Sequence, residues 1–235
     1  IMKTFLKELA EQIDVKLSDK MVEQFFIYKD LLKEWNEKIN LTAIVDDEEI
    51  IIKHFIDSLT IVKYIPQNAK IIDVGTGAGF PGIPIKIARP DVEVVLLDSL
   101  NKRINFLNEV IEKTGITDIE TIHSRAEDAG NNVKYREKFD ISTARAVANM
   151  STLLEYCTPF LKEGGRFICM KAEAREEVKK AEKAIKTLNM QLEDVEEFKL
   201  PKIEANRTVI ILKKLRSTPP KYPRKAGIPS KEPIK

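Results

Sequence analysis

The chain has 235 residues, of which 43% are hydrophobic and 32% charged, and its formal net charge is +2. This length suits one α/β domain with an accessory segment, and no apolar run approaches the roughly eighteen residues that a membrane span requires. Two cysteines and two histidines are too few for a disulfide framework or a zinc site. We therefore expect a globular protein of the cytoplasm that uses no metal and no membrane.

The first 65 residues predict a helical cap. They contain neither glycine nor proline, and apolar residues recur at helical spacing, as at Phe5, Leu9 and Ile13. Ser18 and Asp46 are candidate N-caps of the second and third helices. The apolar stripes predict packing surface, so we expect this segment to cover a main domain.

From residue 66 onward, short β-branched runs alternate with helical stretches, which is typical of βαβ units around a parallel sheet. The last run, 208–212, has the alternation of a paired strand, and 173–189 predicts one charged helix. The pattern predicts seven strands. The first opens at residues 71–72, and the others lie at or near 92–97, 119–122, 139–142, 166–170, 192–198 and 208–212. Strand order is not readable from this pattern.

A glycine-rich turn, Asp73 to Gly82, follows the first strand and holds four of the nine glycines. Glycine lets the main chain approach a ligand closely and adopt positive φ, and the next helix offers free N–H groups. Both dinucleotides and S-adenosylmethionine bind at such turns. The turn therefore predicts a nucleotide-like cofactor without choosing between them.

An NAD-dependent dehydrogenase is the first alternative, because residues 77–82 match the G-x-G-x-x-G fingerprint. Two details favour S-adenosylmethionine: Asp73 offers an anion to a ligand ammonium, and Pro81 lies inside the turn that would face phosphate. Asp98 closes the second strand about twenty residues further on, where a carboxylate can accept both ribose hydroxyls. The alternative role, capping of the next helix, suits Ser99 better.

Two later strand ends complete the predicted site. Residues 125–127 follow the third strand, where a backbone N–H can recognise adenine. Residues 143–146, Thr-Ala-Arg-Ala, follow the fourth, and there the sequence has no [D/N]-P-P-[Y/F] clamp for an exocyclic amine and no Pro-Cys for pyrimidine C5. An acceptor atom that is already a good nucleophile needs neither of these two motifs.

The basic tail is the last feature. Residues 213–235 hold eight basic residues and a single acid, Glu232, so the rest of the chain is mildly acidic. Such a tail is typical of proteins that bind a polyanion, and equally of a solvated terminus that aids solubility. Five of the eleven prolines lie beyond residue 216, so we expect no regular element there.

With these positions placed, the chain resembles the RsmG family of bacterial 16S ribosomal RNA guanine-N7 methyltransferases, also called glucose-inhibited division protein B. The resemblance covers nearly the whole chain, and Phe80-Pro81-Gly82 and the Tyr-Pro-Arg-Lys tail are its most particular parts. It rests on residues 40–42, 54–59, 73–84, 98–103, 125–127, 143–146 and 221–229.

The resemblance implies a class I S-adenosylmethionine-dependent methyltransferase fold, Rossmann-like with a seven-stranded, mostly parallel sheet. We expect a cap over 1–65, a cofactor-binding domain over 66–215 and a basic, proline-rich tail over 216–235. The implied reaction transfers a methyl group to N7 of a guanine in the 530 loop of 16S rRNA, on the small subunit or its assembly intermediate. Together with the motifs above, it predicts cofactor contacts at Asp73, Gly75, Thr76, Gly77, Gly79, Phe80, Asp98, Ser99, Leu100, Ala126, Glu127 and Arg145.

Arg145 is also the candidate catalytic residue. Guanine N7 has an in-plane lone pair and no proton to lose, so positioning and electrostatics replace a general base. His54 and Asp57 either contact the substrate or anchor the cap to the domain. RNA contacts are predicted at His54, Asp57, Arg103, Lys171, Arg224 and Lys225. A non-catalytic RNA-binding or ribosome-assembly protein with the same fold is the remaining alternative.

Overall fold

The computed structural model describes residues 1–145 and 148–235. Its N-terminal part is helical, as predicted, and two predicted N-caps are confirmed. Ser18 accepts a hydrogen bond from the backbone N–H of Met21, and Asp46 accepts one from Glu49. The helical segments are α1 (Met2–Gln12), α2 (Asp19–Asn36), α3 (Asp47–Ile50), a π-helical stretch (Ile51–Ile56) and α4 (Asp57–Leu59).

A seven-stranded sheet forms the main domain, in the order β3-β2-β1-β4-β5-β7-β6. The first five strands are parallel, and β7 runs antiparallel to both of its neighbours. The dinucleotide-binding order 3-2-1-4-5-6 lacks this inserted strand. The strands are β1 (Lys70–Val74), β2 (Glu93–Asp98), β3 (Ile119–His123), β4 (Phe139–Ala144), β5 (Leu161–Lys171), β6 (Met190–Lys199) and β7 (Asn206–Lys214).

The remaining helices agree with the predicted alternation except at three places. Gly115 ends α6 in the left-handed region, as glycine does after a helix. The predicted helix 151–161 ends early because Pro159 cannot continue it, and the predicted helix 173–189 is broken at Ala181. The short α7 was not predicted. These helices are α5 (Gly82–Ala88), α6 (Asn101–Thr114), α7 (Ala126–Asn131), α8 (Met150–Cys157), α9 (Arg175–Lys180) and α10 (Glu182–Thr187).

The cap packs on one face of the sheet and shares its hydrophobic core. Alternation along β1 shows the two faces, because Ile71 belongs to the cluster under the cap and Ile72 to the cluster on the opposite face. The cluster under the cap runs from Leu6 in α1 to Ile211 in β7. The predicted boundary at residue 65 thus separates two sequence patterns, while the apolar core continues across it.

The C-terminal tail, residues 216–235, lies against α7 and α8 and contains one short helix, α11 (Ile228–Lys231). This corrects the expectation that the tail carries no regular element. In the described ranges, no helix combines the length and hydrophobicity that crossing a membrane requires.

Candidate active site

The glycine-rich loop between β1 and α5 combines open and tightly packed glycines. Gly75 and Gly77 have φ of +68° and +59°, and a Cβ at either position would meet no atom within 4 Å. A Cβ on Gly82 would instead lie 2.4 Å from Leu96 Cδ2. The loop therefore keeps an open backbone surface at its start and is fixed against the sheet at its end.

Asp73 lies beneath this loop, fully buried at the end of β1. Its Oδ2 accepts hydrogen bonds from Thr76 Oγ1 at 2.7 Å and from Gly82 N at 2.9 Å. Within residues 1–145 and 148–235, nothing donates to its Oδ1. Burial raises the pKa of Asp73 to about 6. A buried carboxylate oxygen without a donor is costly, and a cationic ligand group would relieve that cost.

Asp98 at the end of β2 connects the same loop to the next helix. Its Oδ2 accepts from Gly77 N and its Oδ1 from Leu100 N, both at 2.9 Å. The N-cap position of α6 is Leu100, so the capping role that suited Ser99 better than Asp98 is taken by neither residue. Oδ2 also lies 3.5 Å from Arg103 Nη1, so Oδ1 is the oxygen that keeps a further lone pair for a hydroxyl donor.

A first cavity of about 380 Å³ lies at the carboxyl ends of β1, β2 and β3, a size suited to a small ligand. Five predicted cofactor residues line it: Gly75, Asp98, Ser99, Ala126 and Glu127. The other lining residues are Val74, Leu97, Ser124, Arg125, Ala148, Leu153, Tyr156, Gly227 and Ser230.

The other predicted cofactor residues do not line this cavity. Thr76 and Gly77 belong to the loop at its edge, and Leu100 is half exposed in a neighbouring groove. Gly79 and Phe80 lie under the cap, where the Tyr28 hydroxyl donates to Ala78 O. Phe80 as a whole residue is only 4% exposed, and a cofactor contact there stays a prediction.

A second cavity, of about 500 Å³, lies between the cap and the ends of β4, β5 and β7. Arg145 follows β4, and its side chain lines this second cavity. The guanidinium donates to His54 Nδ1 at 2.9 Å and to Lys53 O at 3.1 Å. It also lies 4.9 Å above the Phe80 ring. The lining residues are Ile44, Lys53, His54, Asp57, Arg145, Met170, Lys171, Ala172, Glu173, Glu177 and Arg207.

His54 is neutral in this arrangement. Because Arg145 donates to Nδ1, that nitrogen carries a lone pair, and Nε2–H donates to Thr42 Oγ1 at 2.8 Å. The ring stacks on Phe80 at a centroid distance of 4.4 Å. Burial, and then the charge of Arg145, lower the pKa of His54 to about 3.

We predict that His54→Gln changes the pH dependence of stability. In the wild type, the unfolded imidazole takes a proton below its ordinary pKa of 6.5, whereas the folded one does not until about 3. The unfolding free energy therefore falls as pH drops through this window. The variant lacks that loss, so its stability relative to wild type should improve by about 2 kcal/mol between pH 8 and pH 5.

Urea unfolding at the two pH values measures this difference. His123→Gln, the same substitution at an exposed histidine, is the matched control. A stability gap for His54→Gln that stays constant with pH would contradict a buried, neutral His54.

Asp57 joins the cap to two strands of the domain. It is 3% exposed, and its oxygens lie 3.1 Å from Arg207 Nε and 3.5 Å from Arg145 Nη1. Arg207, at the start of β7, was not predicted, since no motif marks it in the sequence. His54 and Asp57 thus both make contacts that anchor the cap to the domain, which is one of the two roles that the sequence left open for them.

Comparison with known proteins identifies the family. The family model described as GidB, rRNA small subunit methyltransferase G, matches residues 21–209. The ribosomal RNA small subunit methyltransferase G of Acetivibrio thermocellus is 56% identical over 234 residues, covering 99% of this chain and 97% of that protein. The chain belongs to the rRNA small subunit methyltransferase G family. The predicted family, enzyme class and cofactor, S-adenosylmethionine, are confirmed, and the dehydrogenase and non-catalytic alternatives are not favoured.

Solved structures agree on the fold of this methyltransferase G family member. A SAM-dependent methyltransferase from Aquifex aeolicus has a TM-score of 0.55 at 17% identity, covering 78% of this chain and 98% of that one. M. jannaschii TYW2 in complex with AdoMet has a TM-score of 0.52 at 15% identity, covering 68% and 75%. At such identities the likeness concerns the fold, and the predicted class I methyltransferase fold is confirmed.

The residues predicted to contact RNA in this methyltransferase fall into two groups. Lys171 donates to Ala148 O, and the Arg224 guanidinium is held by Glu155. Both cations thus have internal partners. Arg103 is partly exposed and lies 3.5 Å from Asp98, and Lys225 is exposed. For all four residues, RNA contact stays a prediction.

Of the predicted segment 143–146, Ala146 lies outside the described residues. Among the residues that are described, no group of three or more His, Cys, Asp or Glu side chains is arranged to hold a metal ion.

Proposed function

We propose that the chain transfers the methyl group of S-adenosylmethionine to N7 of a guanine in the 530 loop of 16S rRNA. We expect it to act in the cytoplasm, on the small ribosomal subunit or its assembly intermediate. Family membership supports rRNA as the substrate. The hydrogen bonds of His54 support N7 of guanine as the acceptor atom. The Nδ1 lone pair of His54 accepts from Arg145, so this imidazole is not available to remove a proton. Guanine N7 needs no such base.

The first cavity fits the cofactor. Asp73 Oδ1, which accepts no hydrogen bond within the described residues and lies beneath the glycine-rich loop, suits the ammonium of the methionine moiety. The free lone pair of Asp98 Oδ1 suits a ribose hydroxyl. The backbone at Ala126 and Glu127 would meet the adenine ring. When bound, S-adenosylmethionine supplies a methyl group activated by the sulfonium. The residues named here bind and orient it.

The second cavity fits the acceptor. Arg145 offers N–H donors that can bind guanine O6 and leave the N7 lone pair free. Asp57, between Arg145 and Arg207, balances part of their positive charge, so the site can tolerate the cation that N7 methylation leaves on the purine. Residues between the cap and the sheet would thus orient the base and set the local charge.

The test is methyl transfer from labelled S-adenosylmethionine to 16S rRNA, with the modified base mapped by chemical cleavage at N7-methylguanine. We expect one site in the 530 loop. Naked rRNA, small subunits and assembly intermediates should be compared as substrates. Methylation of another base or atom, or none with any of the three substrates, would refute the proposed reaction.

A further inference from the structure

The C-terminal tail is held by side chains whose partners lie mainly in its backbone. The Arg136 guanidinium donates to Tyr222 O at 2.8 Å and to Thr218 O at 3.0 Å. Asn131 Nδ2 donates to Pro223 O at 3.1 Å. Backbone carbonyls that are bonded in this way fix the path of a segment that has little regular structure of its own. The tail is therefore seated at a defined position on the body.

A buried ion pair fixes the register of the tail. Glu155 in α8 is 0% exposed, and its carboxylate accepts from Arg224 Nε at 3.0 Å and from Arg224 Nη2 at 2.7 Å. The Arg224 backbone N–H donates to the same carboxylate at 2.9 Å. A two-pronged arginine–carboxylate pair is geometrically specific, and losing one partner leaves the other charge buried. Glu155 thus selects one docked position for the tail.

Beyond this ion pair the tail reaches the first cavity. Gly227 and Ser230 both line it, and Gly227 N donates to Glu127 Oε1 at 2.9 Å. Thr152 Oγ1 donates to Pro229 O at 3.0 Å, which holds the same stretch against α8. Arg224 and Glu155 are not among the lining residues. The anchor and the cavity wall are therefore separate parts of the tail.

We propose that residues 226–235 form a wall of the cofactor site at its adenosine end, held in place by the Arg224–Glu155 ion pair. This rests on the proposed function, because it takes the first cavity as the S-adenosylmethionine site. Glu127 belongs both to the predicted adenine contact and to the bond with Gly227. Tail docking and cofactor binding stabilise each other, and by linkage each strengthens the other by the same factor. The tail thus serves cofactor affinity, a role distinct from a free polycationic arm.

Two variants separate anchor from wall. Glu155→Gln removes the charge that holds Arg224, and deletion of residues 226–235 removes the wall but leaves the ion pair. We expect each to weaken S-adenosylmethionine binding about tenfold in calorimetry. Arg216→Gln is the control, because Arg216 is an exposed residue of the same tail and forms no ion pair within the described ranges. It should bind as the wild type does.

The choice of ligand locates the effect. 5′-Methylthioadenosine has the adenosine but lacks the amino-acid group, so both variants should lose the same factor for it as for S-adenosylmethionine. Folded variants with wild-type affinity for both ligands would overturn the proposal. A loss confined to S-adenosylmethionine would place the effect at the methionine end and overturn it too. If the wild type bound neither ligand, the proposed function would fail instead.

Hydrogen–deuterium exchange on the wild type gives a measurement that needs no variant. We expect added 5′-methylthioadenosine to slow exchange in peptides that cover residues 222–235, because the docked tail becomes more populated. Unchanged exchange there at saturating ligand, with protection elsewhere in the cavity, would show that the tail is not coupled to the cofactor.

Discussion

Replacing Arg145 by alanine should lower the single-turnover rate of rRNA methylation by about 10²–10³-fold, the usual effect of losing one electrostatic donor at a reaction centre. Arg145 makes four contacts that the variant loses, with His54, with Lys53 O, with Asp57 and with the Phe80 ring. Arg145→Lys should recover only part of the rate, because an ammonium lacks the planar fork of donors.

Single-turnover mixing with labelled cofactor measures this rate directly. Arg166→Ala is the matched control, since Arg166 pairs with Glu193 and lines neither cavity. That variant should methylate as the wild type does. An Arg145→Ala protein that folds and keeps the wild-type rate would remove Arg145 from the proposed reaction centre.

Replacing Asp73 by asparagine should separate stability from cofactor binding. Burial raises the pKa of Asp73 from 3.8 to about 6, so between these values the folded state binds more protons than the unfolded state. The contribution of Asp73 to the unfolding free energy therefore falls as pH rises through this window. Asparagine does not ionise, so at pH 8 the variant should be more stable than wild type by about 1–3 kcal/mol.

The same substitution should weaken S-adenosylmethionine binding at least about tenfold, because an amide cannot pair with an ammonium as a carboxylate does. Urea unfolding at pH 4.5 and pH 8, with calorimetry at pH 8, tests both parts. Asp91→Asn is the control of opposite sign: Arg89 holds the pKa of Asp91 well below its usual range, so that variant should lose stability at pH 8. If the difference in unfolding free energy between Asp73→Asn and wild type did not change with pH, burial would not be destabilising the charged form of Asp73.

The sequence predicted the strands well where their residues alternate or are β-branched, and less well where glycine interrupts them. The strand predicted at 166–170 begins earlier, at Leu161. Its first residues were missed because they contain Gly164, which has φ of +82° and lies where the pairing of β5 with β4 is irregular. Gly164 and Gly165 give the sequence the appearance of a turn there. α7 has only six residues, too few for a helical period to show.

The site was predictable where it depends on the parallel strands. Asp73 and Asp98 end adjacent strands, so their spacing placed them at one edge of the sheet. Arg207 could not be found in this way, because it begins a strand. Because β7 runs antiparallel to β5, the start of β7 lies at the edge of the sheet where β5 ends. The sequence pattern does not contain the strand order on which this arrangement depends.

The core shared by cap and sheet sets the order in which this chain can fold as it is made. The cap helices leave the ribosome before the sheet does, but their apolar faces pack in one core with strands as distant as Ile211 in β7. Until β7 has emerged, those faces lack their final partners, and contacts of such sequence separation form slowly. The cap helices should therefore expose apolar surface, and depend on chaperone protection, until synthesis has passed β7.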